Sequence, residues 1–240
     1  PTPIPLTILN TPTPQPTATP APTATPNNPI VTEGFNSVYL RSWPSVFWIE
    51  TDSGRGTGWL LEPGLIVTNQ HVIANAETVI IRQAIKPPFI GTVLGSDSIR
   101  DIALISYNPA LADLPEDAIP FPLGKISHED TAEPLMALGF SGGLVPKPDG
   151  SVGSAPANVG VLTSLVSFLN NGEPVMNLIM DVPIDFGDSG GPVIDLAGLV
   201  VGMVRAEHYD YSGRYIGVNY SVHIDEIRSA LPSLKAGQNR

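Results

Sequence analysis

The chain has 240 residues and a formal net charge of −11, with 12 Lys and Arg against 23 Asp and Glu. That length gives one to two domains with room for a real core. The absence of Cys excludes a disulfide framework and a thiolate metal site, and the acidic balance argues against broad nucleic-acid binding, which needs a basic footprint to release counterions.

Residues 1–29 hold ten Pro and eight Thr and no charge. Pro fixes φ and lacks an N–H, so neither helix nor ladder is expected there. The expected state is an extended polyproline II stalk, a plain spacer or a glycosylated one, and such a tether suits an extracytoplasmic setting. The chain begins at Pro1 rather than Met, the expected mark of a trimmed or processed product. A signal peptide or membrane anchor could have preceded it, and no apolar run is long enough to span a bilayer.

From about residue 30 the chain turns to short apolar runs broken by Gly, Pro, Asn and Asp. Strands are predicted over 45–50, 58–61, 65–68, 78–82, 89–94 and 102–107. A second set covers 135–140, 159–166, 176–182, 192–195, 199–205 and 216–222. Their lengths and β-branched content support this, and residues 195–198 (DLAG) suit a hairpin loop. Pro-rich 108–122 reads as a bridge between two halves, and 141–157 as a long mobile loop. The clearest helical period is 224–231, where Ile224, Ile227 and Leu231 share a face and Pro232 is expected to end the helix. Many strands and few helices imply an all-β barrel or sandwich.

The chemistry concentrates in Gly187-Asp-Ser-Gly-Gly-Pro192. Glycines permit positive φ and close approach, and successive N–H groups can face one anion-binding cavity. Ser189 could attack a carbonyl while the Gly187–Asp188–Ser189 turn forms an oxyanion hole, with the N–H groups of Gly187 and Ser189 as donors. Each donor contributes about 2.7–4 kcal/mol of barrier lowering in other enzymes. Serine needs a base, and His71 follows the apolar strand in Val67-Thr-Asn-Gln-His71. The base needs an orienting acid, and Asp101 stands at the lip of the apolar run 102–105. An acid there needs a hydrogen-bond partner. Asp97 is the competing acid and reads as a turn residue. The chain order His71, Asp101, Ser189 matches one of three common triad orders.

Together these segments resemble the trypsin-like peptidases, and among them the bacterial HtrA/Deg-type branch, over residues 44–231. Gly54-Arg-Gly-Thr-Gly-Trp59 resembles its GSGSG-type strand entry, 67–73 its TNNHV box, 100–105 its DIAL box, 187–192 its GNSGG box, and 216–222 the strand before its C-terminal helix. The resemblance implies two perpendicular six-stranded β-barrels, residues 30–115 and 116–240, the latter stretch including a C-terminal helix. It implies peptide-bond hydrolysis through an acyl-enzyme, a polypeptide substrate, and no cofactor or metal. Ser189 would be nucleophile, His71 base and then acid, and Asp101 the orienting group. Val182, Pro183 and Ile184 would line the base of the primary pocket, with Val218, Asn219 and Tyr220 in its wall. No acid sits where Lys or Arg would be read, so small or medium apolar residues are expected there.

The resemblance has limits. The HtrA-type branch usually carries a PDZ domain after its final helix, and too few residues follow Leu231 for one to be expected in this chain. Asp188 resembles the acid that pairs with a newly released N-terminus in the animal digestive enzymes. Pro29 before Ile30-Val31 argues against such activation, so Asp188 needs a side-chain or backbone partner. His128, His208 and His223 lack metal-ligand spacing. Two rivals differ in class. An α/β-hydrolase elbow at Ser189 would leave too little chain for its acid and His. A catalytically silent peptide-binding module would keep the cleft without the reaction.

Overall fold

The structure is a computed structural model and describes residues 29–142, 144–209 and 215–240. Apart from Pro29, the Pro/Thr-rich segment lies outside the described residues. Strands β1 (Val46–Thr51), β2 (Gly54–Glu62), β3 (Leu65–Thr68), β4 (Thr78–Arg82), β5 (Phe89–Asp97) and β6 (Ile102–Ser106) close one antiparallel barrel in the order β1-β2-β3-β6-β5-β4. Strands β7 (Pro134–Leu138), β8 (Ala157–Asn170), β9 (Glu173–Met180), β10 (Pro192–Ile194), β11 (Val200–Tyr209) and β12 (Tyr215–His223) close the other as β10-β11-β12-β9-β8-β7. The expected all-β pair of six-stranded barrels is present. Helices are α1 (Pro29–Ser42), the one-turn α2 (Gln70–Ile73) and α3 (Pro109–Ala112), and α4 (Ile224–Lys235). No helix among the described residues is long and apolar enough to cross a membrane.

The unbroken apolar runs of the first barrel have a physical cause. Side chains alternate across a strand, and here both faces are buried. Phe47, Ile49, Leu60, Ile66, Ala103 and Ile105 fill the first barrel. Their neighbours Val46, Trp48, Trp59, Val67, Ile102 and Leu104 join a second cluster shared with the other barrel. A strand buried on both faces loses polar alternation, which is why 102–105 reads IALI.

Several elements differ from expectation. Helix α1 departs from the sequence expectation: among its described side chains Phe35, Val38 and the short polar Ser42 are buried, a sparse apolar pattern. Helix α4 runs through Pro232 to Lys235, carried by the burial of Leu234 on the same face as Ile227 and Ala230. Strand β8 is much longer than predicted, since its outer half forms a hairpin with β9 that leaves Phe168 and Leu169 exposed and so lacks a burial pattern. The 141–157 loop is strapped to the first barrel. Arg55 donates to the carbonyls of Gly142 and Leu144, and Arg82 Nη1 donates to Gly150 O at 3.0 Å.

Candidate active site

Asn69 ends β3 and begins α2, and its Nδ2 donates to the Asp101 carbonyl at 3.0 Å. Two residues on, the His71 N–H donates to Asp101 Oδ1 at 3.0 Å, and Nδ1 lies 3.0 and 2.9 Å from the two carboxylate oxygens. With Nδ1–H donating, Nε2 is left as the basic nitrogen. Asp101 is 7% exposed and has φ +60°, a left-handed conformation that Asp tolerates better than most residues. The preceding turn holds it there. Asp97 Oδ1 accepts the N–H groups of Ile99 and Arg100 at 3.0 and 2.9 Å, so that carboxylate is engaged by its own turn. Arg100 bridges Asp97 and Glu226 of α4, each at 2.8 Å.

The loop carrying Ser189 needs its glycines. Gly187 and Gly190 have φ +106° and +86°, and a Cβ on either would run into a carbonyl, that of Phe140 or of Thr57. The Asp188 N–H donates to Asp185 O at 3.0 Å, so Asp188 is not a free donor. The flanking N–H groups of Gly187 and Ser189 have no partner among the described residues. Gly142 N donates to Phe186 O at 3.1 Å. A trans peptide holds N–H anti to its carbonyl, so the Gly187 N–H points away from the 142 loop. Ser189 Oγ donates to Arg205 O at 3.4 Å, a long contact, and makes no hydrogen bond to His71.

The Asp188 carboxylate is buried, and burial pushes it up to about 6, with the nearby Asp185 charge adding to the rise. Its partners are local: the Asp185 N–H at 2.9 Å and Ser141, both of which favour the charged form. The backbone partnership expected as one alternative for Asp188 is therefore what this geometry contains.

Two residues that the sequence reading did not single out join the parts. Thr57 is fully buried; its Oγ1 donates to Gly187 O at 2.7 Å and accepts from Phe140 N at 3.0 Å, while its N–H donates to Ser189 O at 2.7 Å. Arg205 of β11 places Nε 3.4 Å from Asp101 Oδ2. In sequence, Thr57 is one small residue between glycines and Arg205 a cation ending an apolar run, so neither carried a signal. Among the expected pocket residues, Val182 is wholly in the core and gives its carbonyl to Asn219 Nδ2 at 2.7 Å. Its side chain offers no surface to a ligand. Pro183 is exposed, and Ile184, Val218 and Tyr220 are half-buried, the last edge-on to Phe168 at 5.0 Å. His223 is a buried cap: its Nδ1 accepts from Asp225 N at 3.0 Å and its Nε2 lies 3.1 Å from Ile126 O.

Residues 56–203 match the family model described as trypsin-like peptidase domain. The chain belongs to this family. Its relatives include a protein named probable periplasmic serine endoprotease DegP-like, from Pseudomonas fluorescens, 32% identical over 183 residues, which cover 76% of this chain and 35% of that one. A second, putative serine protease HhoA from Synechocystis, is 27% identical over 208 residues, 85% of this chain and 48% of the relative. The chain thus spans between a third and half of the length of these HtrA/Deg-type relatives. Two solved structures share the trypsin-like fold. Rv3671c from M. tuberculosis H37Rv, in an inactive form, has TM-score 0.67 at 24% identity, covering 90% of this chain and 97% of its own. The HtrA-type protease AlgW with a tripeptide has TM-score 0.67 at 22% identity, covering 84% and 63%.

Proposed function

We propose that the chain is a serine endopeptidase that hydrolyses peptide bonds through an acyl-enzyme. The observation that carries this reading is a conjunction: His71 is held on Asp101 by Nδ1, and the Ser189 loop keeps the Gly187 and Ser189 N–H groups without a partner among the described residues. Ser189 Oγ attacks the scissile carbonyl while His71 Nε2 takes its proton. The N–H groups of Gly187 and Ser189 receive the oxyanion. His71 returns the proton to the leaving amine, then deprotonates the water that frees the acyl group. Asp101 stays unprotonated throughout and fixes the tautomer. Reaching Nε2 requires Ser189 to leave the Arg205 carbonyl, a change between staggered χ1 wells, and such contacts are often loose before substrate binds.

The substrate is a polypeptide. Ile184, Val218 and Tyr220, with no acid among them, favour small or medium apolar side chains in the primary pocket, where discrimination is about 10–200-fold per methylene. We read residues 1–29 as a tether and 30–115 and 116–240 as the two barrel units. The periplasmic designation of the Pseudomonas relative and the Pro/Thr tether support an extracytoplasmic setting.

A fluorophosphonate probe tests the reaction: it should label the wild type and leave Ser189→Ala unmodified. Profiling on a peptide library, with Ser189→Ala as control, tests the apolar preference; cleavage after Lys or Arg would overturn it. The rest position of Ser189 Oγ on Arg205 O favours the second reading, a silent peptide-binding module. A folded wild type that is never labelled would select it.

A further inference from the structure

We propose that Arg205 is a positioning residue for this site, holding the Asp101 carboxylate against His71 from β11. The inference rests on the peptidase reading and concerns the same side chains.

The Asp101 oxygens are nearly used up by His71. Oδ1 takes its N–H and Nδ1, and Oδ2 takes Nδ1 at 2.9 Å. The remaining approach to Oδ2 is filled by Arg205 Nε at 3.4 Å. Both side chains are shielded, 23% and 10% exposed. Water therefore screens this pair less than a surface pair, and the attraction is correspondingly larger. The guanidinium is itself anchored. Arg205 Nη1 donates to Asn177 Oδ1 at 3.2 Å, and the buried Asn177 gives its Nδ2 to Val175 O at 2.9 Å. A planar fork already held at Nη1 loses less further freedom when it meets a carboxylate. The same residue offers its carbonyl to Ser189 Oγ. One position of β11 therefore touches the acid through its side chain and the nucleophile through its backbone.

Two effects of the guanidinium oppose each other during reaction. It repels the imidazolium that forms when His71 takes the proton. It also stops the carboxylate from turning away from Nδ1, and small misplacements of reacting groups can slow a reaction about 100-fold. The carboxylate is its direct contact, while the imidazole is reached only across it, so positioning outweighs repulsion.

The test compares Arg205→Met, Arg205→Gln and Arg205→Lys with the wild type, using peptide hydrolysis, the rate of fluorophosphonate labelling and thermal melting. Met and Gln should lower kcat about tenfold, equivalent to about 1.4 kcal/mol, slow labelling in proportion, and leave KM within about twofold. Lys keeps the cation but not the fork and should recover part of the loss, with kcat between the Gln and wild-type values. Folded Met and Gln variants with wild-type kcat overturn the proposal, as does a change confined to KM or a Lys variant no better than Gln. Should Met alone fail to fold, the Lys and Gln pair decides. Failure of all three to fold assigns Arg205 a packing role and also overturns it. An inert wild type would instead overturn the peptidase reading, and this inference with it.

Discussion

The two halves of the candidate site are finished to different degrees. On the first barrel, the His71–Asp101 pair is closed: the Asp101 carboxylate meets the imidazole, an N–H and a cation, and Asn69 fixes its backbone. On the second barrel, the Ser189 loop holds two N–H groups without partners among the described residues and a carboxylate that burial disfavours. The lesson is that the orienting side of a hydrolytic site can be satisfied in advance, while the attacking side must keep donors open for charge that arises only in reaction. The same loop also buries the Asp188 carboxylate, which disfavours its charged form.

The comparison is broken most severely at its closed half. Asp101→Asn should lower kcat about 10,000-fold by supporting the wrong imidazole tautomer, with a lower but still cooperative melting transition because Arg205 loses its counter-charge. A loss below about tenfold in steady-state peptide hydrolysis would mean that the pair is structural. Next comes the link between the halves. Thr57→Val keeps volume but leaves Gly187 O and Phe140 N without their hydroxyl partner. Each buried group left unsatisfied costs about 1–3 kcal/mol. Urea unfolding should show a drop of a few kcal/mol, and kcat should fall more than KM rises.

The open half is sharpened by pH. An ordinary Asp titrates near 3.8, and Asp188 in the fold near 6, because burial favours its neutral form. The folded state therefore binds this proton more tightly than the unfolded state does. The stabilisation is fully present below about 4 and is lost as pH rises through about 6. A shift of that size corresponds to about 3 kcal/mol. Asp188→Asn should be more stable than wild type at pH 7.5 by up to about 3 kcal/mol, with the gap closing toward pH 4. A gap that does not change between those pH values would show that Asp188 is stably ionised in the fold. The smallest effect is expected far from both halves. The exposed Lys86–Asp113 pair, at 3.0 Å, should matter by less than about 1 kcal/mol when Lys86→Ala is measured by denaturant unfolding.

Much of this fold was legible because the hydrophobic pattern of each barrel strand reports its burial. The runs 65–68 and 78–82 are strands β3 and β4 as predicted, since the residues that end them change chemical character abruptly. Where burial gives no pattern, the reading failed. The outer part of β8 pairs with β9 in a projecting hairpin, and the described part of α1 buries Phe35 and Val38 without a full apolar stripe. The site divides in the same way. Glycines flanking a serine, a His after a strand and an Asp before one are local signatures. The parts played by Thr57 and Arg205 depend on partners about 130 and 100 residues distant along the chain, and no local pattern encodes a meeting of that kind. The pocket expectation went furthest astray at Val182, where an apolar residue beside the loop serves the core instead of a ligand.

Helix α4 packs on β5 and β6. Through Glu226 it grips Arg100 beside the acid, and beyond it Arg240 N and Gln238 O pair with Ser96. Residues near the start of the sequence that would generate the base are therefore locked by residues made some 120 positions later. During synthesis, a growing chain would carry the imidazole long before it carried the clamp that steadies it. A polypeptide clipped before α4 would thus keep His71, Asp101 and Ser189 but lack the clamp on the turn that presents the acid.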